Sequence, residues 1–336
     1  MTDVLAPGVT GPSSGPAAPE PGAFAGTGAR KQWRTVADRF LRHRAAMAGL
    51  VLFVLLLAFA FLGPLLWTAS LDAGGEAKVP PSPAHPFGTD RIGHDMLASV
   101  ISGTRYSLQI ALVVAAVSTV LGVVLGALAG YLRGWVDQAV SRLIDLVLVI
   151  PQLVVVAVLA RNSFSVVPGQ TSSNWLTVAL ILALTVSWLP IARTIRGMVL
   201  SLREKEFVEA AQAAGASTSR IVFRHILPNT VDVIIVNATI TIAGAVLLES
   251  ALSFVGLGVK RPDASLGLLI NENKNELVTL PWLFWFPFVF IVLISLSVNF
   301  IGDGLRDAFD PRQKRVGQKR VGRKRGDRKR AAGAAG

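Results

Sequence analysis

Few side chains in this 336-residue sequence have the types and spacing that catalysis requires. No two of the four histidines share the spacing of metal ligands, and the chain has no cysteine to act as nucleophile or ligand. Asp90, His94 and Asp95 lie close together, but no nucleophile accompanies them in a catalytic arrangement. No Gly-Lys dipeptide occurs, so the phosphate-binding loop Gly-x4-Gly-Lys-Ser/Thr is absent. We therefore expect no catalytic residue, no metal site and no cofactor bound by this chain.

Two acidic residues border apolar segments in which a charge would be costly. Asp145 lies where the third apolar stretch begins, and Glu249 lies at the end of the fifth. An acid at membrane depth is expensive and suggests a functional site. The alternative is an interfacial position with Arg142 or Arg261 as ion-pair partner, and the sequence leaves both interpretations open.

The segment 201–228 predicts two short helices joined by a corner. Ser201, with a glutamate three residues later, forms a capping box that predicts a helix start. Gly215 suits the left-handed conformation that closes a helix. Ser217 can cap a second helix, which Pro228 should end or kink.

The chemistry of this predicted hairpin is that of docking. A flat surface for close approach comes from four alanines, Ala210, Ala211, Ala213 and Ala214. Phe207 and Val208 offer apolar anchors, while Glu209, Arg220 and Arg224 can complement the charges of a partner. A helix pair that lies on lipid headgroups is the alternative interpretation.

The remaining sequence must supply the elements that position this hairpin. Hydrophobic residues make up 52% of the chain and charged residues 16%, with a mean hydropathy of +0.54, whereas soluble domains carry about 25% charged residues. Charge-free stretches occur at 45–66, 106–132, 146–160, 175–192, 233–248 and 277–302. Since a membrane span needs about 20 apolar residues, the sequence predicts an all-α membrane protein with six transmembrane helices.

The charges predict how these spans are oriented. An even number of spans places both termini on one side, and the segments of that side hold 26 Lys and Arg against 7 on the other. The positive-inside rule therefore predicts cytoplasmic termini and an outward-facing loop at 67–105. Eleven basic residues and one acid lie in 312–330. A basic tail on an apolar body favours a membrane surface over nucleic acid as its neighbour.

Small residues recur along the second predicted span. Gly122, Gly126 and Gly130 follow Ser118 at intervals of four, which places them on one helix face and permits close approach of another helix. Ordinary helix packing is the simpler interpretation, and a seam that moves during transport is the alternative.

Several motifs resemble a known family. The pattern Glu209-Ala-Ala-x3-Gly215, followed by Ile221 and His-Ile-Leu-Pro228-Asn, resembles the EAA loop of ABC importer permeases. Further segments are similar to the second permease of dipeptide and oligopeptide importers, namely 87–95, 130–151, 252–258 and 299–311. Together they cover about residues 35–312 in the family's order. The sequence departs from the pattern at His94, where arginine is usual, and at Leu266, where tryptophan is usual.

The resemblance implies a type I ABC importer permease fold with a cytoplasmic coupling hairpin. It assigns ATPase coupling to Phe207, Glu209, Ala210, Ala211, Gly215, Ile221 and Pro228. Together with the Pro-, Gly-, Ala- and Ser-rich composition of the first thirty residues and the basic run near the end, it divides the chain into four parts. These are a disordered tail (1–34), a first helix with an extracytoplasmic segment (35–105), a core transmembrane domain with the coupling loop (106–305) and a basic cytoplasmic tail (306–336).

The function implied is that of a multi-pass cell-membrane permease, most often for di- or oligopeptides. Its partners would be the lipid membrane, a homologous second permease, two ATPase subunits that bind ATP and Mg²⁺, and an extracytoplasmic binding protein, with no nucleic acid. Similar permeases carry nickel chelates, glutathione or opines. An ion-coupled secondary transporter using Asp145 and Glu249 is another alternative, but it would leave the hairpin without a partner. A membrane enzyme built on the outer Asp/His residues is the third.

Overall fold

A computed structural model describes residues 27–67, 75–162 and 174–310. Within these ranges the regular elements are helical. The α-helices are α1 (Thr27–Arg42), α2 (Arg44–Leu66), α3 (Met96–Leu132), α4 (Gly134–Val149), α5 (Gln152–Asn162), α6 (Trp175–Leu182), α7 (Leu189–Arg203), α8 (Glu206–Ala213), α9 (Thr218–Ile221), α10 (Val231–Phe254), α11 (Leu266–Asn273) and α12 (Trp282–Phe309).

Four of the helices, α2, α3, α10 and α12, are long and apolar enough to cross a membrane. Two bent pairs meet the same criterion when each is counted as one span. The pair α4 and α5 is bent by 92°, and α6 and α7 form a span bent by 42° around a π-helical turn (Ala183–Ser187). The prediction of an all-α membrane protein is confirmed, and its six spans correspond to four single helices and two broken ones. Pro151 lies in the break between α4 and α5, and its missing backbone donor interrupts the helix there.

Several predicted boundaries differ from the structure. The helix α3 begins ten residues before the apolar stretch because the Asp95 carboxylate caps it, accepting a hydrogen bond of 2.9 Å from Ala98 N. The helix α10 continues to Phe254, so Glu249 lies inside the helix and not at its end. Part of the segment predicted to be disordered is helical, because α1 begins at Thr27. The basic run 312–330 lies outside the described residues.

The helix α3 lies against α7 along the predicted glycine face. A Cβ at Gly122 would lie 2.7 Å from the Ile191 Cβ, and one at Gly126 would lie 2.5 Å from the Ala192 carbonyl oxygen. At Gly130 it would lie 2.8 Å from the Arg196 carbonyl oxygen. Larger side chains would therefore separate the two helices over more than two turns.

Apolar side chains form two buried clusters. The larger cluster joins α2, α3, α6, α10 and α12 through side chains such as Leu56, Leu108 and Ile294. The smaller one lies at the other end of the bundle, where the C-terminal part of α7 meets α8 and α9. This second cluster is the base on which the hairpin rests.

Candidate functional site

The hairpin is formed by α8, α9 and the turns that continue α9. Gly215 adopts a φ of +77°, the left-handed conformation expected of a helix-closing glycine. Its N–H donates to Gln212 O at 2.9 Å, and Ala216 N donates to Ala211 O at 3.0 Å, the pair of hydrogen bonds of a Schellman motif. Ser217 caps α9 by accepting from Arg220 N.

Beyond α9 the helical form of the chain changes twice before the next span. It continues as a π-helical turn (Val222–Ile226) and then a 3₁₀ turn (Leu227–Asn229) that contains Pro228. The predicted corner and the predicted second cap are thus both present. Pro228 lies at the end of the hairpin, directly before α10.

The predicted first helix start is wrong. Ser201 lies in the last turn of α7, which runs on to Arg203, and α8 begins only after Lys205. The apolar periodicity explains the difference, because Ile195, Val199 and Leu202 continue the face of α7 that packs into the smaller cluster. Packing of this face therefore overrides the local capping signal.

The inner face of the hairpin is buried. Its fully or nearly fully buried side chains are Val208, Ile221, Val222 and Ile226. Val208 is therefore not the docking anchor that the sequence suggests, since it packs toward α7. Ile221, with 1% of its surface exposed, supports the hairpin from within. Complete burial of such a side chain contributes about 1.5–3 kcal/mol.

The outer face carries most of the other predicted coupling residues. Glu209, Ala210, Gly215 and Pro228 are exposed, Phe207 is 41% exposed, and Ala211 is half-buried against the smaller cluster. Sequence reasoning missed Phe223, which is 66% exposed on the second arm. Its apolar ring at the surface of a docking element is the signal that could have indicated it.

Polar contacts fix the hairpin to the end of α3. Arg203 Nη1 donates to the Tyr131 carbonyl oxygen at 2.5 Å, and the guanidinium lies 5.4 Å from the centre of the Tyr131 ring. Gln212 Nε2 in α8 donates to the Tyr131 hydroxyl at 3.3 Å. Arg133 forms an ion pair with Glu204 in the link between α7 and α8. A displacement of the hairpin would therefore act on α7 and on the end of α3 together.

The two acids that the sequence predicts at membrane depth have different environments. Asp145 pairs with Arg193 of α7, at 2.7 Å, and not with Arg142 or Arg261. Arg261 instead pairs with Glu272 at 2.8 Å. The hydrogen bonds that Arg261 donates to the Glu272 carboxylate raise the pKa of Arg261.

Glu249 is completely buried and has no ion-pair partner among the described residues. It accepts hydrogen bonds from Ser253 Oγ at 2.6 Å and from Ser107 Oγ at 3.3 Å. Ser107 Oγ in turn accepts from Leu266 N at 3.2 Å. Glu249 therefore joins α10 to α3 and, through Ser107, to the start of α11.

The Asp and His residues of the segment between α2 and α3 form pairs and not a catalytic group. His94 Nδ1 lies 2.7 Å from Asp90 Oδ2, and His85 Nδ1 lies 2.8 Å from Asp95 Oδ2. Trp67 Nε1 donates to Asp95 Oδ1 at 3.1 Å, which links the end of α2 to the start of α3. In the described part of the chain no three His, Asp or Glu side chains are grouped so as to hold a metal ion. These contacts organise the segment between α2 and α3.

The fold is that of a permease from an ABC importer. The structure of the MetNI methionine ABC transporter in an inward-facing conformation includes a chain that superposes with a TM-score of 0.52 at 20% sequence identity. The match covers 64% of this chain and 98% of that chain. Counting each bent pair as one span, the described residues thus form six spans with a helical hairpin after the fourth, and the match shows that they share this fold.

The sequence comparisons then identify the family. Residues 122–315 match the binding-protein-dependent transport system inner membrane component family, and residues 31–82 match the N-terminal TM domain of oligopeptide transport permease C. The oligopeptide transport system permease protein OppC of Escherichia coli K12 is 42% identical over 289 residues, covering 85% of this chain and 93% of that protein. OppC of Mycobacterium tuberculosis H37Rv is 39% identical over 283 residues, covering 84% and 95%.

This chain belongs to the family of binding-protein-dependent transport system inner membrane components. It is a multi-pass membrane permease of an ABC importer and is not itself an enzyme. The predicted resemblance and the predicted class of function are confirmed. The roles predicted for individual residues stay predictions.

Proposed function

We propose that this chain forms half of the translocation path of an importer for di- or oligopeptides. A homologous second permease would form the other half, two ATPase subunits would supply energy, and an extracytoplasmic binding protein would deliver the substrate. The relatives named as oligopeptide permeases support the choice of substrate. Both termini and the hairpin would face the cytoplasm, as the distribution of Lys and Arg favours.

The observation that carries this proposal is the two-sided construction of the hairpin. Its inner face is packed against α7, while its outer face presents Phe207, Glu209 and Ala210 without cover from the described chain. Within that part of the chain no cation pairs with Glu209. An apolar ring, a free carboxylate and a small residue on a rigid support suit a protein partner, since anchors at interfaces are aromatic side chains in desolvated pockets.

ATP and Mg²⁺ would be bound by the partner ATPases and not by this chain. Closure of the ATPases would move the hairpin, and the hairpin would move α7 and the end of α3 through the Arg203 and Gln212 contacts with Tyr131. Such coupling requires two global states that ATP and substrate favour to different degrees.

Exposed apolar side chains indicate where other protein or lipid must cover this chain. Trp135 and Val149 on α4 and Leu247 and Phe254 on α10 are 45–84% exposed. Contact with lipid removes such side chains from water, and a second permease would cover those that lie at its interface with this chain. Both neighbours are part of the proposal.

The test replaces Ala210 with tryptophan in the complete importer reconstituted in liposomes. The added ring should block approach of the ATPase, so that peptide uptake and peptide-stimulated ATP hydrolysis fall about tenfold or more, as expected for loss of an interface anchor. Ala37→Trp, at an exposed helical alanine of α1, is the matched control and should retain both activities. Wild-type uptake, hydrolysis and subunit retention in Ala210→Trp would rule out coupling through this face. If the wild-type importer takes up none of a dipeptide, a tripeptide and a pentapeptide, the peptide assignment alone is ruled out.

A further inference from the structure

The helix α4 has little apolar attachment to the rest of the protein. Ile144 is its one buried side chain, and together with the partly buried Val140 and Val147 it contacts the larger cluster. It begins at a sharp corner, where Arg133 and Gly134 have consecutive φ values of 56° and 62°. It ends at the 92° break before α5. A helix held so weakly by packing needs other contacts to move together with its neighbours.

Two ion pairs provide these contacts, and both join α4 to α7. The Arg196 guanidinium binds the Asp137 carboxylate through two hydrogen bonds, Nε to Oδ1 and Nη2 to Oδ2, the second at 2.9 Å. Arg193 Nη2 donates to Asp145 Oδ1 at 2.7 Å. The acids are eight residues apart on α4 and the arginines three apart on α7, and their order is reversed, since Asp137 pairs with Arg196 and Asp145 with Arg193. We call these two pairs, which join α4 to α7 at two points, the ladder.

The two steps are not equivalent. Arg196 and Asp137 are 32% and 20% exposed and form a planar bidentate pair, whereas Arg193 and Asp145 are 57% and 61% exposed in this single chain and share one hydrogen bond. Bidentate pairs shielded from water hold their geometry better than exposed single contacts. The lower step, Asp137 with Arg196, should therefore carry most of the mechanical connection.

The same helix α7 leads directly into the hairpin. Only two residues separate its last residue, Arg203, from the first residue of α8. The hairpin, α7 and the end of α3 are joined by the buried cluster and by the Tyr131 contacts, whereas α4 is attached to this unit through the ladder and the corner at Gly134.

We propose that the ladder makes α4, and with it the broken span of α4 and α5, follow α7 when the ATPase moves the hairpin. Asp137, Arg196, Asp145 and Arg193 are then positioning residues for transport. This inference rests on the proposed coupling function of the hairpin. Without the ladder, α7 would move while α4 remained behind, and ATP would be hydrolysed with little transport.

The experiment reverses the charges of the lower step in the complete reconstituted importer. Asp137→Arg and Arg196→Asp are made singly and together, and uptake, ATP hydrolysis and subunit content are measured on the assembled complex. The quantity compared is the amount of peptide imported per ATP hydrolysed. If the contact only stabilised the protein, its loss would lower the amount of assembled complex. The ratio measured on the complexes that do assemble would stay unchanged.

Each single reversal should lower the ratio about tenfold, and the double reversal should restore it to within about threefold of wild type, the range expected for directly coupled residues. The matched control is the bidentate pair Arg261 and Glu272, which contacts neither α4 nor α7 and whose reversals should leave the ratio unchanged. A ratio within about twofold of wild type in both single reversals would overturn the proposal. So would a double variant as impaired as the singles.

Two milder variants keep the proposal testable if a reversal fails to assemble. Asp137→Asn removes the charge with little change in shape, and Arg196→Lys keeps the charge but loses the bidentate geometry. Both should lower the ratio about threefold or more, and a wild-type ratio in both would overturn the proposal. If Ala210→Trp abolishes uptake while these variants transport normally, the ladder is wrong and the hairpin function stands. If Ala210→Trp has no effect, the hairpin function itself is wrong.

Discussion

The contact between α3 and α7 allows one substitution to be treated quantitatively. Gly126→Ala adds a single methyl group where the Ala192 carbonyl oxygen would lie 2.5 Å away, about 0.9 Å inside the 3.4 Å at which contacts become ordinary. The oxygen belongs to the backbone of α7, so it cannot rotate away as a side chain would. The two helices must separate, or one of them must bend.

The expected loss follows from two opposing effects. Alanine is favoured over glycine inside a helix by about 1 kcal/mol, while overpacking of a close contact costs about 1–3 kcal/mol. A separation of 0.5–1 Å also removes roughly a quarter to a half of each van der Waals attraction across the interface. Gly126→Ala should therefore destabilise the chain by about 1–2 kcal/mol, and Gly126→Ile, with three more carbons, by more.

The assay is the thermal unfolding of the full-length chain in detergent, followed by intrinsic fluorescence. Gly197→Ala is the matched control, because Gly197 lies on the opposite face of α7 and a Cβ there would meet no atom within 4 Å. The control should unfold at or above the wild-type temperature, whereas Gly126→Ala should unfold below it. Equal stabilisation by both substitutions would refute the close-packing argument.

Two further predictions concern burial and orientation. Glu249→Leu should destabilise the same detergent-solubilised chain by about 2–4 kcal/mol, because the Ser107 and Ser253 hydroxyls would each lose an acceptor. Glu249→Gln keeps a carbonyl oxygen and should cost less. Equal melting temperatures for the two variants would contradict the hydrogen-bond argument. In intact cells an impermeant thiol reagent should label Ala84→Cys and leave Ser219→Cys unlabelled until the membrane is permeabilised. The sequence has no native cysteine to interfere with this test. The reverse pattern of labelling would show that the proposed orientation is wrong.

Much of the architecture could be predicted because it depends on local patterns. Charge-free stretches predict spans, since a charge in hydrocarbon is costly wherever the helix lies. The glycine spacing in α3 predicts a close helix contact, and Gly215 and Ser217 predict a corner and a cap, since these depend only on the conformations that each residue allows. The family motifs added the order of these elements.

Other features were outside the reach of such patterns. The capping signal at Ser201 is locally sound, but α7 continues through it because packing of its apolar face stabilises the longer helix. Val208 and Phe207 are adjacent and both apolar, yet one is buried and the other exposed. Which of them faces a partner depends on the rotation of α8 against α7, which the sequence of the hairpin does not encode by itself.

The partners of the charged residues were decided by tertiary structure alone. Asp145 has Arg142 three residues away on its own helix, but it pairs with Arg193, which is 48 residues distant and becomes its neighbour only when α4 lies against α7. Glu249 finds serine hydroxyls from two helices in place of a cation. The sequence determined that this protein crosses a membrane, which residues build its spans, and that it carries a hairpin suited to docking. Only the packing of the helices decided which charges meet, because an ion pair depends on distance in space and the separation of two residues along the chain places almost no limit on it.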